Sequence, residues 1–108
     1  MRIARAPKPK LRIESYTSRA VAGMANSYLI FGEREALLFD VVQTRRDASQ
    51  LADRITASRR RLTTIFISHA HPDHYLGLDV LASRFPRARV VALPEVVADI
   101  RRTGPALV

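Results

Sequence analysis

Cysteine is absent from this 108-residue chain, and that absence restricts its chemistry. Without cysteine the chain forms no disulfide framework and offers no thiolate, so any metal ion must be held by nitrogen and oxygen atoms. No apolar run approaches the roughly 20 residues that span a membrane, and no secretory signal follows the basic N-terminus. These absences predict a cytoplasmic protein that does not enter a membrane.

Lysine is scarce, because Lys8 and Lys10 are the only lysines among 18 basic residues. The net charge of +8 raises the question of nucleic-acid binding, for which the N-terminal basic cluster is the best candidate. The remaining arginines are spread along the chain, and no helix-turn-helix pattern or aromatic-interleaved basic patch accompanies them. We therefore expect a solvated basic surface and no nucleic-acid partner. Residues 1–9, with Pro7 and Pro9, are predicted to form a flexible basic tail.

Apolar periodicity predicts alternating strands and helices after this tail. Ala48, Leu51 and Ile55 recur at helical spacing, whereas residues 63–67 are a continuous apolar run, typical of a strand buried on both faces. The predicted strands cover 11–16, 26–31, 36–41, 63–67 and 89–92, and the predicted helices cover 44–58, 78–85 and 94–102. This alternation predicts a layered α/β architecture, with a hairpin formed by the second and third strands.

All three histidines of the chain fall in one short segment that reads His-Ala-His-Pro-Asp-His. His69 and His71 are two residues apart, so in an extended backbone their side chains project to the same side and can clamp one metal ion. Asp73 and His74 follow a proline and would direct a carboxylate and an imidazole to a neighbouring point. The motif follows the predicted strand 63–67, where open α/β sheets place ligand sites. These donors predict zinc, with manganese or iron as alternatives.

This motif resembles the signature of the metallo-β-lactamase fold metallo-hydrolases. The order of hairpin, helix, strand and histidine segment is also similar to the N-terminal half of that fold. The resemblance implies a mixed sheet with helices packed on it, forming the N-terminal half of an αβ/βα sandwich. Residues 10–108 would then be a partial domain of this class.

The resemblance also implies roles for the motif residues. His69 and His71 would ligate a first metal ion, and Asp73 and His74 would ligate a second, so that Asp73 also belongs to the catalytic centre. Metal-activated water would be the nucleophile. Asp40, at the end of the third strand, would support a ligand histidine by hydrogen bonding, although an acid at a strand end also commonly bonds a turn.

The chain departs from the family pattern after His74, where no further histidine follows. The family's second half supplies additional ligands, so we expect only two protein ligands per metal, fewer than zinc usually has. We also expect an apolar face and an edge to be exposed at strand 63–67.

Two main hypotheses follow from this shortfall. The first is a metal-dependent hydrolase, with zinc as the metal and a small molecule as the substrate, whose site is incomplete in this chain. The second is a non-catalytic metal-binding or oligomerising half-domain, a truncated remnant that pairs as a homo-oligomer through its exposed sheet. A basic nucleic-acid binder ranks last.

Overall fold

The computed structural model describes residues 3–4, 11–18, 26–42, 44–69 and 77–103. The strands are β1 (Arg12–Thr17), β2 (Asn26–Phe31), β3 (Glu35–Phe39), β4 (Arg61–Ile67) and β5 (Arg89–Ala92), and the helices are α1 (Arg45–Ala57), α2 (Leu78–Arg84) and α3 (Pro94–Thr103). The predicted order of elements is confirmed, with boundaries that shift by one or two residues. Of the predicted tail only residues 3 and 4 are described, so the flexible tail stays a prediction.

The five strands form one mixed sheet in the order β1-β2-β3-β4-β5. β1, β2 and β3 pair antiparallel, whereas β4 lies parallel to β3 and β5 lies parallel to β4. The β2–β3 hairpin turn is closed by the Gly32 N–H, which donates to the Glu35 carbonyl at 2.8 Å. Parallel neighbours require crossover connections, and α1 and α2 provide them. The carboxyl ends of β3 and β4 therefore meet at one edge of the sheet.

One face of the sheet, here called the helix-covered face, forms the hydrophobic core. Leu38 in β3 lies beside Leu29 in β2 and Ile65 in β4, and all three are fully buried. All three helices contribute to this core, and the buried apolar stripe of α1 consists of Ala48, Leu51, Ala52 and Ile55. Thr44 caps α1, because its Oγ1 accepts a hydrogen bond from the Asp47 N–H at 3.2 Å.

The opposite face, here called the open face, is apolar but less buried. Its apolar side chains are Ile13, Tyr28, Ile30, Leu37, Phe39, Phe66 and Val91. None of these belongs to the described core or packs against it. The rings of Phe39 and Phe66 stack at its centre, with centroids 4.7 Å apart.

The environment of β4 corrects two predictions made from its apolar run. Leu62, Ile65 and Ile67 are buried, but Phe66 on the open face is only half-buried, so the prediction of burial on both faces was wrong. The predicted exposed edge at this strand was also wrong, because β4 lies between β3 and β5. The exposed apolar face itself is observed.

The helices of the described chain are all short or polar on one side. No helix among these residues is long and apolar enough to cross a membrane.

Candidate functional site

Asp40 lies where β3 leaves the sheet. Its φ of 65° is in the left-handed region, which aspartate tolerates better than most residues because its short side chain can hydrogen-bond locally. This conformation ends β3 at Phe39, so the predicted extension of the strand to Val41 was wrong. The Asp40 N–H still donates to the Phe66 carbonyl at 2.8 Å, which keeps the residue against β4.

The Asp40 carboxylate holds the residue that follows β4. Asp40 Oδ1 accepts a hydrogen bond from the Ser68 N–H at 2.7 Å, and Oδ2 accepts one from the Ser68 hydroxyl at 2.5 Å. The two residues are 28 positions apart in sequence and meet because β3 and β4 are parallel neighbours. Asp40 is only 5% exposed, and charge-assisted hydrogen bonds shielded from water are among the stronger ones in proteins.

Ser68 extends these contacts to the first histidine of the motif. Its Oγ lies 2.8 Å from Nδ1 of His69, whose side chain is exposed at this edge of the sheet. Asp40 therefore reaches His69 through Ser68. The proposed support of a ligand histidine by Asp40 stays a prediction, now with an intermediate that the sequence did not single out. The sequence signal for this intermediate is the hydroxyl residue directly before the first histidine of the motif.

The other predicted ligands, His71, Asp73 and His74, lie outside the described residues. Within the described ranges, no three histidine, aspartate or glutamate side chains come together in a group that could hold a metal ion. The structure thus places one predicted ligand, His69, and its neighbours Ser68 and Asp40. The ligand set as a whole stays a prediction.

Gly77 is the first described residue after the motif. Its N–H donates to the Val42 carbonyl at 2.7 Å. A Cβ at Gly77 would lie 2.4 Å from that carbonyl oxygen and 3.0 Å from Cβ of Ala48, so this approach requires glycine. Residues 40–42 therefore hold the described residues on both sides of the motif, Ser68 before it and Gly77 after it.

The chain belongs to the metallo-β-lactamase superfamily, whose sequence profile matches residues 20–102. Members of this family bind metal ions, typically zinc. The fold is that of the N-terminal half of the metallo-β-lactamase fold, as the resemblance in the sequence implied. No curated protein matches this sequence.

Solved metallo-β-lactamases share this fold. DIM-1 superimposes with a TM-score of 0.64 at 18% identity, over 94% of this chain and 45% of DIM-1. A metallo-β-lactamase of Cronobacter sakazakii gives a TM-score of 0.62 at 27% identity, over 75% of this chain and 32% of its own. FIM-1 from Pseudomonas aeruginosa, solved in a mono-zinc form, gives 0.64 at 13% identity, over 89% and 43%. The chain thus spans less than half the length of these enzymes.

Proposed function

We propose that this chain supplies part of the metal site of a metal-dependent hydrolase, with zinc as the metal. The contact chain from Asp40 through Ser68 to His69 carries the proposal, because it supports an exposed imidazole with a buried carboxylate. Metal-binding histidines commonly have such a partner on the ring nitrogen that does not face the metal. Membership of the metallo-β-lactamase superfamily and the zinc in FIM-1 support the same conclusion.

The donor set of the motif fits a zinc ion, since imidazole nitrogen and carboxylate oxygen are usual zinc ligands. His69 and His71 would hold a first ion, and Asp73 and His74 would hold a second, with Asp73 also in the catalytic centre. Bound zinc would activate water and polarise the bond to be hydrolysed in a small-molecule substrate. The fold's own contribution is to hold Ser68, before the motif, and Gly77, after it, against residues 40–42.

Metal content after dialysis tests this proposal directly. The chain has no cysteine and no histidine outside the motif, so retained zinc reports on these side chains. We expect elemental analysis to find zinc in the unmodified chain and its loss in a His69→Ala/His71→Ala double variant. Asp99→Ala, which removes a carboxylate in α3, is the matched control and should retain the metal. Equal zinc in the double variant and the control would contradict the proposal.

Hydrolysis is tested separately, because metal binding alone does not require turnover. A panel of ester, thioester, lactam and phosphodiester substrates should show activity that depends on His71 and Asp73. Activity that survives His71→Ala and Asp73→Ala unchanged would overturn the hydrolase proposal.

A second candidate function is a non-catalytic metal-binding half-domain. It is favoured by the donor set of the motif, whose imidazole and carboxylate groups can bind a metal ion whether or not turnover follows. Zinc that is retained without turnover on the whole panel would select this candidate over the hydrolase. The cytoplasmic location stays a prediction for either.

We also propose that a second copy of this chain covers the open face. The chain carries a net charge of +8, which opposes self-association except through a surface without charge. The centre of the open face is such a surface, because Ile30, Leu37, Phe39 and Phe66 are all apolar. Exposed apolar patches of this kind commonly mark protein–protein interfaces.

Sedimentation velocity tests this pairing. We expect a dimer that Leu37→Asp dissociates, because a carboxylate would be buried at the centre of the interface. Val90→Asp is the control: Val90 lies beside Ile65, on the helix-covered face, and is already 47% exposed. A monomer at all concentrations, or equal effects of the two substitutions, would overturn the proposal.

A further inference from the structure

The Ser68 hydroxyl has one proton and two partners within hydrogen-bond distance. Its Oγ lies 2.5 Å from Asp40 Oδ2 and 2.8 Å from His69 Nδ1. A carboxylate carries no hydrogen and can only accept, so the hydroxyl proton is donated to Asp40. The distance of 2.5 Å is within the range expected for an O–H donor and a charged oxygen. The Ser68 oxygen is then left as an acceptor toward His69.

The opposite arrangement brings two acceptors together. If Ser68 donated its proton to His69 Nδ1, its lone pairs would face the Asp40 carboxylate at 2.5 Å with no hydrogen between them. The Ser68 N–H, which donates to Asp40 Oδ1 at 2.7 Å, fixes the carboxylate so that Oδ2 keeps facing the hydroxyl. The first arrangement is therefore the stable one.

We infer that Ser68 is a positioning residue that holds neutral His69 in the tautomer with its hydrogen on Nδ1. Nε2 is then the basic ring nitrogen, the one whose lone pair can coordinate a metal ion. The purpose of this arrangement rests on the proposed metal-site function, but the tautomer itself is a property of the metal-free chain. In this arrangement Asp40 acts on His69 through the direction in which it turns the Ser68 hydroxyl.

Nitrogen-15 NMR of the metal-free chain tests the tautomer without any metal or activity. The spectra are recorded near pH 8.5, about two units above the ordinary histidine pKa, where imidazoles are neutral. Ring nitrogen shifts should show His69 mainly in the Nδ1–H form. A His71→Gln/His74→Gln variant, in which His69 is the only histidine, assigns the signals. A wild-type His69 mainly in the Nε2–H form would overturn the inference.

Three variants separate the tautomer effect from a general loss of structure. Ser68→Thr keeps the hydroxyl and should keep the Nδ1–H form, whereas Ser68→Ala should shift His69 toward the Nε2–H form that free histidine favours. Asp40→Asn should also shift it, because the amide can donate to Ser68 Oγ and release the hydroxyl proton toward Nδ1. Backbone amide spectra like that of the wild type establish the fold of each variant. A Nδ1–H form that persists in both Ser68→Ala and Asp40→Asn would overturn the inference.

Zinc titration distinguishes this inference from the proposed function. Ser68→Ala should weaken zinc binding by about 10-fold or more, whereas Ser68→Thr should bind like the wild type. If the tautomer responds as expected but the wild type holds no zinc, the proposed function fails and the role of Ser68 in setting the tautomer stands. If zinc binds but Ser68→Ala changes neither tautomer nor affinity, the inference on Ser68 fails alone.

Discussion

Leu37 and Leu38 are neighbours in β3, yet they point to opposite faces of the sheet and have different surroundings. Leu38 is 0% exposed beneath the helices, whereas Leu37 is half-buried on the open face. Because these two residues share the same type and the same strand, they allow a direct comparison of the two faces. The difference teaches that the helices complete the packing of one face only, so the stability of this chain alone depends mainly on the helix-covered face.

The largest expected effect is that of Leu38→Ala. Removing a fully buried leucine side chain leaves a cavity and should lower the free energy of unfolding by about 2–5 kcal/mol. Leu37→Ala removes the same atoms from a half-buried position and should cost less, about 1–2 kcal/mol for the monomer. Urea denaturation at low protein concentration measures both. Equal losses would contradict the proposed difference between the faces, because they would mean that both faces are equally well packed.

The effect of Leu37→Ala on the free energy of unfolding can also be measured at increasing protein concentrations and compared with that of Leu38→Ala. If a second copy covers the open face, the loss caused by Leu37→Ala should grow with concentration, since mass action adds the association energy to the stability. The loss caused by Leu38→Ala should stay constant. A loss at Leu37 that does not change with concentration would argue against the second copy.

Much of the helix-covered face was predictable from the sequence, because helical spacing shows which side chains share one face. Ala48, Leu51 and Ile55 lie on the buried side of α1 as their spacing predicts. The environment of Phe66 was not predictable in the same way. An apolar run shows that a strand has apolar side chains on both faces, but not whether another layer covers each face within this chain.

The candidate site shows a similar division between local and long-range information. The motif at His69 and Asp40's place at a strand end are local features, so the sequence indicated both. The contact of Asp40 with Ser68 joins residues 28 positions apart and depends on the parallel pairing of β3 and β4. The left-handed conformation at Asp40 also depends on this packing. Neither feature has a local sequence signal strong enough to predict it.

Gly77→Ala is expected to have the next largest effect, because it changes how α2 reaches the helix-covered face. The added Cβ would lie 2.4 Å from the Val42 carbonyl oxygen, so the start of α2 must shift away from residues 40–42. We expect a loss of about 1–3 kcal/mol in the free energy of unfolding, measured by urea denaturation. Gly32→Ala is the matched control, because its Cβ would meet Glu35 O at an ordinary 3.6 Å. A loss at Gly32 as large as that at Gly77 would show that close packing is not the cause.

The smallest expected effect is the removal of a tyrosine hydroxyl, which we compare between the two faces. Tyr16 lies on the helix-covered face and Tyr28 on the open face. The Tyr16 hydroxyl lies 3.0 Å from Asp47 Oδ1 and 2.9 Å from Gln50 Oε1, so it ties edge strand β1 to α1. Tyr16→Phe removes a donor from the fully buried Asp47 and should lower the free energy of unfolding by about 1 kcal/mol. The loss stays moderate because Arg54 also joins α1 to β1, through its hydrogen bond to Glu14 at 3.0 Å.

Tyr28→Phe provides the comparison on the open face. Tyr28 is 42% exposed, so its hydroxyl can be hydrated and its removal should change the stability by less than about 0.5 kcal/mol. Parallel thermal and urea denaturation of the two variants measures the difference. If Tyr28→Phe were the more damaging change, the open face would hold a polar contact that matters more than the link between β1 and α1. The conclusion that stability depends mainly on the helix-covered face would then be wrong for the link between edge strand β1 and α1.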